Sequence, residues 1–308
     1  MHPALLLLTD SRLPAGGHAH SGGTERAVAS GAVHDVPSLR SFLRGRLHTA
    51  GTLASALTAA ACTEAARLGT SRTEAPRAGT SHAGTSPAEA ARPGQATRGE
   101  AARIAARTAT TEAAGAAVHA PSVAHVPAPL TAPRRRDEVR RSPAHLNGAQ
   151  PTNTPDPWVL LDTEVDARTA SPAQRDASRT QGRLLLRVAR RIWPSPILDD
   201  LATTIPSPHH PIALGATAHA AGATPEEAAL AAAYHAVTGP ATAAVRLLGL
   251  DPVAVHALLA DLTPDLTAVA AQACLAAPGW EALPAYSSPA LDLLAEQHAQ
   301  ATVRLFIS

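Results

Sequence analysis

Lysine is absent from the 308 residues; all 26 basic side chains are arginine. A phosphate loop of the Walker type needs Gly-Lys-Ser/Thr to neutralise its ligand, so that form of nucleotide chemistry is excluded. Aromatic residues make up only 2% of the chain, and alanine and leucine supply most of its apolar bulk. That composition favours helix over sheet, because these two residues are strong helix formers while strands favour aromatic and β-branched side chains. The two cysteines, Cys62 and Cys274, stand far apart with no Cys-x-x-Cys unit. This argues against a disulfide framework and fits a reducing compartment. No apolar run approaches the roughly 20 residues that span a bilayer. "ALLLL" at Ala4–Leu8 is too short for the core of a signal peptide and runs into Asp10. A cytoplasmic location is expected. The formal charge of +1 gives no bulk attraction to nucleic acid or membrane, and neither is expected as a partner.

Between residues 69 and 157 the composition shifts to Ala, Thr, Pro, Arg, Gly and Ser. The large apolar residues there are Ile104, Val118, Val123, Val126, Leu130, Val139 and Leu146. So few cannot offset the ordering cost of the backbone, and disorder is expected, with at most a transient helix over Glu100–Ala117. The flanks, residues 1–68 and 158–308, read as helices. Pro37 opens a long one with Leu39, Phe42, Leu43, Leu47, Leu53 and Leu57 along one stripe. Ser171-Pro172-Ala173-Gln174 is a start signal, with Ser171 as N-cap, proline in the first turn and Gln174 as the capping glutamine three residues on, for a helix that Pro194 stops. Thr224-Pro225-Glu226-Glu227 repeats the device, and Gly239-Pro240 is expected to kink or break that helix. Asp251-Pro252 and Thr263-Pro264 begin two more, and a last helix is expected over Pro289–Arg304. With no useful alternating pattern, the fold is expected to be all-α: a single helical-bundle-like domain interrupted by a long low-complexity insertion.

Three stretches carry candidate chemistry. The first is "LPAGGHAHSGGTE" (13–25). Glycine-rich turns before helices can hold phosphate, but a dinucleotide fingerprint also needs a preceding strand, which is missing. His18 and His20 could face the same way if the loop is extended, yet two histidines are an incomplete ligand set. A tight turn is the simpler reading: Gly22 and Gly23 let the backbone approach a neighbouring helix, Ser21 caps, and Glu25 sits in the first turn. The second is the row Arg175, Arg179, Arg183, Arg187 and Arg191, four apart on one helix. Such a stripe is either solvated or meets carboxylates of a neighbouring helix or a partner, which guanidinium grips bidentately. The third is "HHPIALG" (209–215), where His209 and His210 could serve as ligands. No Gly-x-Ser-x-Gly elbow and no His-Glu-x-x-His motif occurs, so no catalytic residue is assigned and no enzyme is expected.

Taken together, "LLLLTDSRLPAGGHAHSGGTERAVASGAV", "RTQGRLLLRVA", "HHPIALGATAHAAGATPEEAALAAAYHAVTGPATAAVRLLGL" and the final "VRLF" resemble, in order, the UreF family of urease accessory proteins. The resemblance covers roughly residues 2–68 and 158–308. It implies an all-α adaptor without catalysis of its own or a tightly bound cofactor. Its implied partners are UreD (UreH), the GTPase UreG and apo-urease, with a homodimer inside the complex. Nickel then passes through the assembly, and GTP resides on UreG. Ser21, Gly22, Gly23 and Glu25 match the signature near the UreD contact; Arg179, Gly182 and Arg183 match an Arg-x-x-Gly-Arg run. His210, Tyr234 and Arg246 fall in the region the resemblance associates with dimerisation and the GTPase. The chain departs from the family pattern at His18, at Leu250-Asp251-Pro252 and at Ile307. A different class of function, a stand-alone nickel carrier, would use His18, His20, His209 or His210.

Overall fold

The computed structural model describes residues 2–74, 155–275 and 279–308. Among these residues the regular structure is helical throughout, as the alanine–leucine bias predicts. The amino-terminal part contains α1 (Ala4–Leu8), α2 (Thr24–Ala29), α3 (Val36–Arg46) and α4 (Thr52–Glu74). Helix α4 runs six residues into the segment expected to be disordered. The insertion over residues 75–154, with the transient helix expected at Glu100–Ala117, lies outside the described residues. The chain then forms α5 (Pro157–Arg168), α6 (Pro172–Ile192), α7 (Pro196–Thr204), α8 (His210–Ala220) and α9 (Pro225–Leu248). It ends with α10 (Pro252–Asp261), α11 (Thr263–Ala273) and α12 (Pro289–Ala299). No single helix among the described residues is long and apolar enough to cross a membrane.

Helix α8 lies at the centre and packs against α4, α6 and α9. Its residues Pro211–Ala218 are all buried, which explains its lack of an amphipathic pattern. Two glycines set its distance from its neighbours. A Cβ on Gly182 of α6 would lie 2.1 Å from the Pro208 carbonyl oxygen, and one on Gly215 of α8 would lie 2.4 Å from that of Thr58. Only glycine permits backbones to pass so closely.

The long stripe beginning at Pro37 is present but changes partners midway. Leu39, Leu43 and Leu47 join α9, α10 and α11 in one core cluster. Leu53 and Leu57 join α5, α6, α7 and α8 in another. A π-helical turn at Leu47–Gly51 separates the two sets, and its extra residue re-aims the stripe. Each fully buried leucine contributes roughly 1.5–3 kcal/mol.

Helix starts follow the sequence signals, with two exceptions. Asp35, Asp156, Ser171, Ser195, Thr224 and Asp251 each accept a backbone N–H with the side chain. Gln174, however, does not cap α6; its amide donates to Asp292 of α12 at 3.0 Å. Ser21 does not cap α2 either. Gly23, at φ +90°, holds the capping position without a side-chain bond. Of the kink or break expected at Pro240, a break does not occur, since α9 continues through it to Leu248. The last helix stops at Ala299 instead of reaching Arg304, and the remaining residues fold back along the amino-terminal loop.

Candidate functional site

The glycine-rich loop grips the chain's own carboxy-terminal tail. Glu25, in the first turn of α2, accepts the backbone N–H of Leu305 at 2.8 Å and of Phe306 at 3.1 Å. Ile307 N–H donates to the Ala19 carbonyl at 2.7 Å, and Ser21 N–H to that of Ser308. His20 Nδ1 meets Ser308 Oγ at 2.6 Å. Phe306 turns inward, whereas Val303, Leu305 and Ile307 stay exposed. Ser21 and His20 are buried, and the Ser21 hydroxyl has no hydrogen-bond partner among the described residues. The backbone of His18 lies in a short 3-10 turn, Gly17–Ala19.

Gly22, at φ +59°, fits between two elements. A Cβ there would come within 3.0–3.1 Å of the Arg46 guanidinium and the Pro240 ring. Arg46 Nη1 donates to the Gly22 carbonyl at 2.8 Å, and Arg46 Nε to the Ala236 carbonyl at 2.9 Å. Burial pulls the Arg46 pKa down to about 10. The loop is therefore a turn that allows close approach, held by an arginine that sequence reasoning missed.

Loop, tail and helices enclose a groove of about 910 Å³. His210 and His235 stand in it with ring centroids 6.0 Å apart. Burial, and then repulsion from His235 and His20, pushes the His210 pKa down to about 3. Burial also lowers that of His235. Both rings are therefore neutral near pH 7. Tyr234 lines the groove and is 39% exposed. Arg246 is exposed in the last turn of α9.

Arg179 lies elsewhere, in a network joining α5, α6 and the start of α8. Its Nη1 donates to Asp162 at 2.9 Å and to the Ser207 carbonyl at 3.0 Å; its Nη2 donates to Asp166 at 2.6 Å. His209 N–H donates to Asp162 at 2.8 Å, and His209 Nε2 meets Asp166 at 2.9 Å. Burial lowers the His209 pKa against the pull of both carboxylates. Burial raises that of Asp166, but His209 and Arg179 outweigh it and the net direction is down. The ligand atoms of Asp162, Asp166 and His209 lie within 4.8 Å of one another, a spacing that suits an ion. The cation on these carboxylates is the Arg179 guanidinium, so the arrangement acts as a staple between three helices. Among the described residues no other such ligand set occurs; His20, His209 and His210 do not converge on one centre. The aspartates, four apart on α5 opposite an arginine row, were a readable signal.

Gly182 provides the close approach of α6 to the α8 start, and Arg183, the next residue on the helix, is exposed. The arginine row thus divides. Arg179 bonds to α5, with Arg175 Nε 3.9 Å from Asp166, while Arg183, Arg187 and Arg191 face outward.

A family model described as UreF matches residues 143–263. The urease accessory protein UreF of Mycolicibacterium vanbaalenii is 34% identical over 304 residues, covering 99% of this chain and 97% of that protein. Its counterpart in Mycobacterium marinum is 33% identical with the same coverage of each. That of Mycobacterium tuberculosis is 31% identical, again over 99% and 97%.

Proposed function

The chain belongs to the UreF family of urease accessory proteins, and from that premise we propose that it is an adaptor in urease maturation without catalysis of its own. In this reading it assembles as a homodimer with UreD (UreH) and the GTPase UreG. Nickel passes through the complex to apo-urease, and GTP chemistry stays on UreG, which fits a chain lacking lysine. The reading places the assembly in the cytoplasm.

The observation that carries the proposal beyond kinship is the composite surface tied together by Glu25. It joins the signature loop to the tail and leaves Val303, Leu305 and Ile307 exposed as an apolar row. Such rows rimmed by polar groups serve recognition. Ser21, Gly22, Gly23 and Glu25 shape this surface for UreD. Tyr234 and Arg246 on α9, with His210 beside that helix, are assigned to dimerisation and the GTPase. Arg179, Gly182 and Arg183 hold and display α6.

The test is nickel-dependent urease activation in cells lacking this chain, paired with co-purification of UreD and UreG with and without nickel and GTP. Full urease activity without the chain overturns the proposal. A carrier reading draws on His20 and His210 lining one groove. Micromolar nickel binding by the isolated chain would favour it over the adaptor.

A further inference from the structure

The outward part of the arginine row faces a second groove, of about 510 Å³, between α6 and α7. Arg183, Arg187, Arg190 and Arg191 line it, all exposed, with Asp199 the one acid among the lining residues. Asp199 is taken by Arg190 at 2.7 Å. Arg183, Arg187 and Arg191 have no carboxylate partner among the described residues. Their like charges repel at about 0.2–0.5 kcal/mol per neighbouring pair, a cost that a bound anion would reverse. From these features we propose that the α6–α7 groove docks an acidic segment of a partner protein, whose carboxylates pair with Arg183, Arg187 and Arg191.

Spacing supports this occupant. Residues four apart on a helix advance about 6 Å along the axis. Side chains on one face of an extended chain repeat every ~6.6 Å. Alternate glutamates or aspartates of an extended segment therefore meet successive arginines, each by the planar fork suited to a carboxylate.

Charge distribution narrows the choice. Residues 75–154 carry ten arginines against five acids, so the chain's own insertion is a poor occupant. The described residues carry 16 arginines against 20 acids. The arginine groove is thus a local feature of a body with negative formal charge, which would repel a long polyanion beyond the groove. The apolar walls, Leu186, Ala202 and Pro206, are aliphatic and provide no platform on which a nucleobase could stack.

A fluorescent poly-glutamate peptide titrated into the full chain at low salt tests the proposal by anisotropy. The wild-type chain is expected to bind it, and Arg187→Glu/Arg191→Glu to bind at least tenfold more weakly. Arg187→Lys/Arg191→Lys is expected to fall between, since it keeps the charge and loses the fork. Arg12→Glu, a charge reversal away from the groove, should match wild type. Helical circular dichroism checks each fold, and Arg187→Gln/Arg191→Gln replaces the glutamate pair if that pair does not fold. No binding by wild type, or equal binding by the altered pair, overturns the proposal. So does an oligothymidylate that binds as tightly through the same arginines.

Discussion

Arg46 donates from Nε to the Ala236 carbonyl at 2.9 Å, and Ala236 lies four residues before Pro240. Proline has no N–H, so this carbonyl loses its normal helical donor. Arg46 supplies the missing hydrogen bond from another helix, and α9 continues through a proline expected to interrupt it. The same guanidinium holds the Gly22 carbonyl, linking the signature loop to the proline notch.

Arg46→Ala is expected to destabilise the protein by about 1–3 kcal/mol in urea unfolding, because two carbonyls lose their donor. In a Pro240→Ala background residue 240 supplies its own N–H to Ala236. The Arg46→Ala cost should then drop by about 1 kcal/mol. An equal cost in both backgrounds would count against the compensation.

Glu25→Ala removes both acceptors that hold Leu305 and Phe306. Hydrogen bonds to a charged group contribute about 1.5–3 kcal/mol, so the tail should be released more often. Trypsin cleavage after Arg304, followed by mass spectrometry, is expected to quicken roughly tenfold. An unchanged rate would mean that the tail is held by other contacts.

Gly182→Ala is expected to cost about 1–3 kcal/mol or more, since its methyl would collide with the Pro208 carbonyl. Gly45→Ala is the matched control. It lies in α3 with nothing within 4 Å of the added Cβ, and should gain about 0.5–1 kcal/mol from helix propensity. Thermal melts that place both variants on the same side of wild type would refute the packing argument.

His210 titrates far lower folded, at about 3, than unfolded. As pH falls through about 6.5, the unfolded chain takes up a proton that the folded chain refuses. Stability is therefore expected to decline from there toward pH 3, with a slope of up to about 1.4 kcal/mol per pH unit from this residue. His210→Gln should flatten that decline. His209 and His235 are shifted in the same direction and leave a residual slope. A profile that is equally steep without His210 would show that its ring is not kept neutral.

The start signals at Ser171 and Thr224 were legible because a cap needs only the few residues around it. Gln174 was misread because Asp292, 118 residues away, offers its amide a stronger partner. The expected end of the last helix at Arg304 failed for the same reason. Glu25 binds the tail's backbone across some 280 residues of sequence, and no local pattern announces it. The His210–His235 pair was similarly hidden, since it depends on how α8 crosses α9.

The sequence by itself determined the helical class, most helix starts and the family, because composition, caps and short motifs are read over a few residues. The tertiary structure alone decided which arginines were already paired. Carboxylates on α5 neutralise Arg179 and approach Arg175, while the outer face of α6 leaves Arg183, Arg187 and Arg191 to solvent. Five equally spaced residues thus divide into a staple and a surface, because the charge opposite each depends on which helix folds against it.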